Sequence, residues 1–125
     1  MPGHKKILIV DDSSTSRMII QRCVEMASVD AEFTQAENGM EALAILREMS
    51  GLSLILTDIN MPKMDGQTFI KLVKNDPITH SIPIIVISSI ADGAFIDELI
   101  RLGVVAVIKK PVSPAKILNA LGGTE

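Results

Sequence analysis

The chain has 125 residues, enough for one domain with a buried core and too few for a second. Hydrophobic residues make up 47% of it, but they fall in short runs broken by charges, and none approaches the roughly 20 apolar residues of a membrane span. A net charge of -3 with three Phe, no Trp and no Tyr supplies neither a basic patch nor rings to stack on bases, which excludes direct nucleic-acid binding.

The start, Met-Pro-Gly-His-Lys-Lys, leads into only four apolar residues, too short for a secretory signal core. A soluble, cytoplasmic protein is expected. Ile7 to Val10 is a β-rich run ending at Asp11-Asp12, and Ser13, Ser14, Thr15 and Ser16 follow as candidate caps for a helix. In that helix Ile19, Ile20, Cys23, Val24 and Ala27 share one face, whereas Arg17, Gln21, Arg22 and Glu25 fall elsewhere. Cys23 is the single cysteine. It reads as a buried structural thiol, in keeping with a reducing compartment.

Glu32 to Ala36 is a more polar strand suited to a sheet edge, and Asn38-Gly39 opens a helix with Ala42, Ile45, Leu46 and Met49 inward, closed by Gly51. Leu52 to Leu56 reads as a buried strand that stops at Asp58, where Pro62, Asp65 and Gly66 mark a turn. Residues 66–75 form a helix on Phe69, Ile70 and Val73, ended by Asp76-Pro77. Pro83 to Ile87 is the next strand, followed by Ser88-Ser89. Asp92 to Leu102 is a helix with Ile96, Leu99 and Ile100 inward, capped by Gly103. Val104 to Ile108 is the last strand and ends in Lys109-Lys110-Pro111. Ser113 caps a final helix with Pro114 in its first turn and Ile117, Leu118 and Leu121 inward, and Gly122-Gly123 ends it.

Five strands alternating with five helices predict a single α/β domain with a parallel sheet, because each crossover helix returns the chain to the same edge. All the strands' carboxyl ends then share one rim, where open parallel sheets bind ligands. Asp11, Asp12, Asp58, Ser88 and Lys110 all fall on that rim. Alone, an aspartate at a strand end is more often a cap for the next helix than a reactive group. Convergence changes that reading.

Three carboxylates in close quarters repel one another, so one takes a proton or a cation settles among them. Magnesium suits the donor set, since it takes one or two carboxylates and completes its octahedron with water, carbonyl and phosphate oxygens. Calcium wants a fuller cage, and zinc wants His or Cys, which the rim lacks. A divalent ion, a lysine and a hydroxyl around one aspartate are equipment for moving a phosphoryl group, with the Asp58 carboxylate as nucleophile.

The acidic pair Asp11-Asp12, the stretch Asp58-Ile59-Asn60-Met61-Pro62-Lys63-Met64-Asp65-Gly66, Ser88 and Lys110-Pro111 follow in order, each at a strand end. From Lys6 to about Leu121 the chain resembles the receiver domain of two-component response regulators, the single-domain chemotaxis regulator type. This resemblance implies a flavodoxin-like sheet of order 2-1-3-4-5, for which this family is itself a standard instance. It implies that Asp58 accepts phosphate from the phosphohistidine of a sensor kinase or a histidine phosphotransfer protein. Asp12, Asp58 and the Asn60 carbonyl would hold Mg2+ directly and Asp11 through water, while Lys110 pairs with the phosphoryl group and Ser88 swings toward it. Lys109 is the competing lysine, but strand alternation separates the two side chains and Pro111 holds its predecessor extended, which favours Lys110. Ser89 is the neighbouring alternative to Ser88, and register with the family favours Ser88. Asp11 also has the position of a helix cap.

Receivers of this type usually carry Tyr or Phe in strand five where this chain has Val107. Weak coupling through Val107 is therefore expected, with partner contact resting more on the loop from Ser88 to Gly93 and the face of helix four, strand five and helix five. Ile90 and Asn60, two residues past Ser88 and Asp58, flank the path of a hydrolytic water. With no output domain after the fifth helix, the signal would leave through a separate partner: a motor-switch component, an enzyme, a kinase or a phosphotransfer protein. No turnover of a separate substrate is expected. Four other readings stay open: a phosphorylation-independent interaction module, a phosphate relay or sink, a flavin carrier and a phosphohydrolase. Against the flavin carrier, Asp11-Asp12 would repel a flavin phosphate; against the hydrolase, Asn60 stands where a second acid belongs. The purified protein should be colourless, and a visible flavin spectrum would replace the receiver reading with that of an electron carrier.

Overall fold

Strands that read as unbroken apolar runs must be covered on both faces, and in the computed structural model, which describes residues 5–90 and 92–122, they are. The elements run β1 (Lys5–Val10), α1 (Ser14–Met26), β2 (Ala31–Ala36), α2 (Gly39–Glu48), β3 (Leu54–Thr57), α3 (Gly66–Asn75), β4 (Ile84–Ser88), α4 (Gly93–Leu102), β5 (Ala106–Lys109) and α5 (Pro114–Leu121). All neighbouring strands pair in parallel, in the order β2-β1-β3-β4-β5. From β1 the chain moves outward to β2, then crosses back past β1 to β3 and proceeds to β5. The loops leaving β1 and β3 therefore diverge to opposite faces, which opens a crevice between these two strand ends.

Alternation within each strand divides the core in two. Ile7, Ile9, Leu54, Leu56, Ile85 and Ile87 pack with α1 and α5 residues such as Ile20, Val24 and Ile117. Leu8, Val10, Ile55 and Val86 face the other way onto α2, α3 and α4, where Phe69, Ile70, Val73 and Leu99 are fully buried. Cys23 is buried in the first of these clusters, as expected of a structural thiol.

The helix starts follow the local chemistry. Ser13, Asn38, Asp65, Asp92 and Ser113 are the N-caps, each accepting a backbone N–H from the third residue on. Gly103 ends α4 in the left-handed region, as its position suggested. Gly51 is different: α2 stops at Glu48 with Met49 as its cap, and Gly51, at φ +77°, belongs to the turn into β3. Gly123, expected to share in ending α5, lies outside the described residues.

Three residues expected to point inward do not: Ile19, Ile100 and Leu118 are 46%, 45% and 53% exposed. Each is the chain neighbour of a fully packed residue, Ile20, Leu99 or Ile117. Neighbours on a helix lie about 100° apart, and a helix seated on a sheet buries only a stripe not much wider than that. An apolar residue at the stripe's edge therefore stays in solvent. The β3, β4 and β5 boundaries also fall one or two residues later than the apolar runs suggest, because pairing with neighbours decides where a strand ends.

Gly66 is a point of close approach. A Cβ there would lie 2.6 Å from the Ile59 Cα and 2.7 Å from the Asp58 carbonyl oxygen. The missing side chain lets the start of α3 lie against the chain leaving β3. Gly66→Ala should therefore cost about 1–3 kcal/mol by overpacking, and Phe69→Ala about 3–5 kcal/mol by emptying the centre of the α2–α4 core. Urea unfolding followed by circular dichroism measures both, since the chain has no Trp or Tyr to report. A near-neutral Gly66→Ala would mean that the β3–α3 turn has room to yield.

Candidate functional site

The acidic rim begins with Asp58, one residue past β3. Its N–H donates to the Val10 carbonyl at 2.9 Å, so the sheet fixes its backbone. The residue is 8% exposed. Its Oδ1 accepts the Ile59 N–H at 2.7 Å, and its Oδ2 lies 3.3 Å from the Lys110 Nζ. The same ammonium lies 3.3 Å from Asp11 Oδ2, so one cation ties together the ends of β1, β3 and β5.

Asp11 is buried and both its oxygens are engaged. Oδ1 accepts the Ser13 N–H at 2.9 Å, and Oδ2 accepts the Ser16 hydroxyl at 2.6 Å in addition to Lys110. Asp11 thus does what a helix-start carboxylate does while also facing the cluster. Asp12 is exposed, and its carboxylate has no partner among the described residues. Oxygens of Asp11, Asp12 and Asp58 all lie within 4.8 Å of one another. Asn60 is exposed on the loop leaving Asp58, which turns sharply at Lys63 (φ +69°) with the Met64 N–H donating to the Pro62 carbonyl at 2.7 Å. An all-oxygen donor set on a solvent-open shelf fits a hard divalent cation that keeps part of its water.

Burial raises the Asp58 carboxyl above the usual carboxylate range, and this outweighs the Ile59 N–H and the Lys110 ammonium, both of which pull it down. Burial alone would lower Lys110, but attraction to Asp58 and Asp11 outweighs it and leaves the ammonium held above the ordinary lysine value. The pair is asymmetric: its surroundings favour the charged form of Lys110 and disfavour that of Asp58, which a second cation would relieve.

Of the two adjacent lysines, Lys110 is the one in the cluster; Lys109 ends β5 as an exposed side chain. Of the two adjacent serines, Ser88 is buried at the end of β4 and Ser89 is exposed. The Ser88 Oγ accepts the Ile90 N–H at 3.1 Å, and its carbonyl accepts the Lys110 N–H at 2.9 Å, which joins the loops after β4 and β5. Ile90 is about half exposed beside it, and Ala91 in the same loop lies outside the described residues. Val107 is half-buried against the α2–α4 core. Sequence reasoning reads Ser16 only as a candidate helix cap and does not place Ser16 or Arg17 at the site. Arg17 falls off the apolar face of α1, yet its Nη1 donates to the Asp11 carbonyl at 2.6 Å. A cation in the first turn of a helix, the end that disfavours positive charge, was the available signal.

A doubly wound parallel sheet with three carboxylates and a lysine at its switch point defines an α/β protein equipped to hold a cation and an anionic group together. Residues 7–122 match the response regulator receiver domain, and the chain belongs to that family. It is 36% identical to chemotaxis protein CheY1 of Helicobacter pylori over 116 residues, 93% of each chain. Among solved structures it is similar to the phosphorylated cyanobacterial phytochrome response regulator RcpA, with TM-score 0.79 and 32% identity over 96% of this chain and 90% of that one. It is also similar to the Mn(2+)-bound form of response regulator Rcp1, with TM-score 0.78 and 25% identity over 94% of this chain and 90% of that one. No helix among the described residues is long and apolar enough to cross a membrane.

The raised Asp58 carboxyl has a consequence for stability. A carboxyl that titrates higher in the folded than in the unfolded state contributes stability that is full below the unfolded value and is lost as pH rises through the folded one. In metal-free buffer the wild type should therefore lose stability relative to Asp58→Asn as pH rises from about 4 toward neutrality. Magnesium should restore it by binding only the folded state. Thermal unfolding across pH, with and without the ion, checks this; parallel curves for the two proteins would show that Asp58 is not held in an unfavourable charge state.

Proposed function

We propose that this chain is a phosphorylation-switched response regulator of the chemotaxis type, in which the Asp58 carboxylate takes a phosphoryl group from the phosphohistidine of a sensor histidine kinase or a phosphotransfer protein. The observation that carries this reading is the cluster itself: a buried, sheet-anchored aspartate with a lysine 3.3 Å away and two further acids within 4.8 Å. An Asp58 oxygen attacks phosphorus in line with the P–N bond, and the histidine nitrogen leaves with the electron pair. The Lys110 ammonium, 3.3 Å from Asp58 Oδ2, would then exchange a carboxylate contact for a phosphoryl one with little change of position.

Mg2+ is the proposed cofactor, held by Asp12, Asp58 and the Asn60 carbonyl directly and by Asp11 through water. When bound, it offsets the charge of the transferring group. The division of labour between the acids is supported by their environments. Both Asp11 oxygens already accept protein hydrogen bonds, whereas Asp12 has both of its own free among the described residues. The similarity to a manganese-bound and to a phosphorylated regulator supports the same chemistry.

Phosphorylation adds about 1.5 to 2 negative charges and strong acceptors at this rim. Ser88 answers them by turning its hydroxyl from the Ile90 N–H toward the phosphoryl oxygens, and the loop to Gly93 follows. The altered face of α4, β5 and α5 then binds a separate protein target. Val107, with no ring to reorient, transmits less of the change than the loop does. No separate substrate is turned over.

Incubation with a small acyl or amido phosphate and magnesium should give a single adduct of about 80 daltons by intact mass. Asp58→Asn and chelation should each abolish it, and Lys110→Ala should slow its formation by about 100-fold or more, the scale on which a charge-stabilising group acts. A folded, magnesium-binding protein that takes no phosphate from either the small donor or a kinase would make it a phosphate-independent interaction module.

A further inference from the structure

Asp12 is the one acid of the cluster whose carboxylate has no hydrogen bond or ion pair among the described residues. Side-chain contacts hold Asp11 and Asp58 in place; only the backbone can aim Asp12. The peptide unit in question is the one joining Asp11 to Asp12, and its carbonyl oxygen is the Asp11 oxygen that Arg17 Nη1 approaches to 2.6 Å. That is a short, charge-assisted bond.

Arg17 is itself anchored. Its Nε donates to Gln35 Oε1 at 2.9 Å on the edge strand β2, and Gln35 Nε2 donates to Gln21 Oε1 at 3.1 Å, one turn further along α1. The guanidinium thus holds a fixed fork between α1, β2 and the loop after β1, a geometry that a flexible ammonium cannot reproduce. It makes no ion pair among the described residues. Nor is its location locally favourable, because it stands in the first turn of α1, where the helix dipole disfavours a cation. A residue that breaks a local preference without an ion pair to compensate points to a role in the site.

We propose that Arg17, backed by Gln35, is a positioning residue for the acidic pair: it fixes the plane of the Asp11–Asp12 peptide and so aims the Asp12 carboxylate at Asp58, where the two share a divalent cation. This rests on the receiver reading above, in which that ion is Mg2+. Arg17 touches neither the ion nor the phosphoryl group and acts through the backbone of Asp12.

The sign of one measurement decides the matter. By Coulomb's law alone, removing a positive charge beside a cation site tightens cation binding. Loss of a positioning contact weakens it, by about 10-fold or more where such supporting contacts have been removed from metal sites. Mg2+ affinity of the metal-free protein is measured by calorimetric titration for the wild type, Arg17→Ala, Arg17→Lys and Gln35→Leu. Thermal midpoints without metal are recorded alongside as the control for a merely structural effect.

The expected result is weaker Mg2+ binding in Arg17→Ala by about 10-fold or more, incomplete rescue by Arg17→Lys, and a smaller loss in Gln35→Leu, where no charge has changed. Affinity that is unchanged or tighter in a folded Arg17→Ala overturns the proposal. If that variant fails to fold, Gln35→Leu carries the test, and wild-type affinity there overturns the two-point anchor. Wild-type protein that neither binds Mg2+ nor accepts phosphate would instead refute the receiver reading, an outcome separate from these.

Discussion

The ammonium of Lys110 reaches Asp11 and Asp58 at the same distance, 3.3 Å, and so closes the ends of three strands that are not consecutive in sequence. Asp58 is buried and held in place by the sheet, a position in which a lone carboxylate is costly. One lysine offsets part of that cost but stands against two buried acids, with a third exposed beside them. The site is therefore built with a deficit of positive charge. Such a deficit suits a hard divalent cation.

Around this charge arrangement the molecule divides into fixed and adjustable parts. Leu54 to Asp58 and Ile84 to Ser88 are buried without interruption, so the backbones that carry Asp58 and Ser88 move only with the core. The Ser88 side chain is less committed than that of Asp58, both of whose oxygens have partners. The Ser88 hydroxyl is spent on one bond, to the Ile90 N–H, and Ile90 itself stands about half in solvent. That bond uses the Ser88 oxygen as acceptor and leaves the hydroxyl hydrogen available to an acceptor. The Lys110 N–H donates to the Ser88 carbonyl, so a shift on one side of this link is felt on the other.

Much of the fold was legible because the signals are local. The helix over 66–75 was readable to the residue from Asp65 before it, Gly66 as its start and Asp76-Pro77 after it. Ser113-Pro114 and Gly103 likewise speak for themselves, since a cap or a left-handed turn is chemistry between near neighbours. Ile19, Ile100 and Leu118 were misplaced because helical spacing gives the direction of a face and not its width, which the sheet beneath decides. Gly66 read as a turn residue, and its tight seat against Ile59 and Asp58 emerges only when β3 and α3 are brought together.

By itself the sequence determined the alternation of strands and helices, hence a parallel sheet with Asp11, Asp12, Asp58, Ser88 and Lys110 on one rim, because strand and helix periods and the handedness of crossovers leave little choice. It also separated Lys110 from Lys109, through strand alternation and the following proline. Tertiary structure alone decided how Lys110 bridges Asp11 and Asp58, how Gln35 anchors Arg17, and that the Asp12 carboxylate is left without a partner among the described residues. The physical reason is distance in the chain. Lys110 lies 99 residues from Asp11, and Arg17 lies 18 from Gln35. No local preference encodes contacts of that span; they exist only once the sheet has brought the strand ends together.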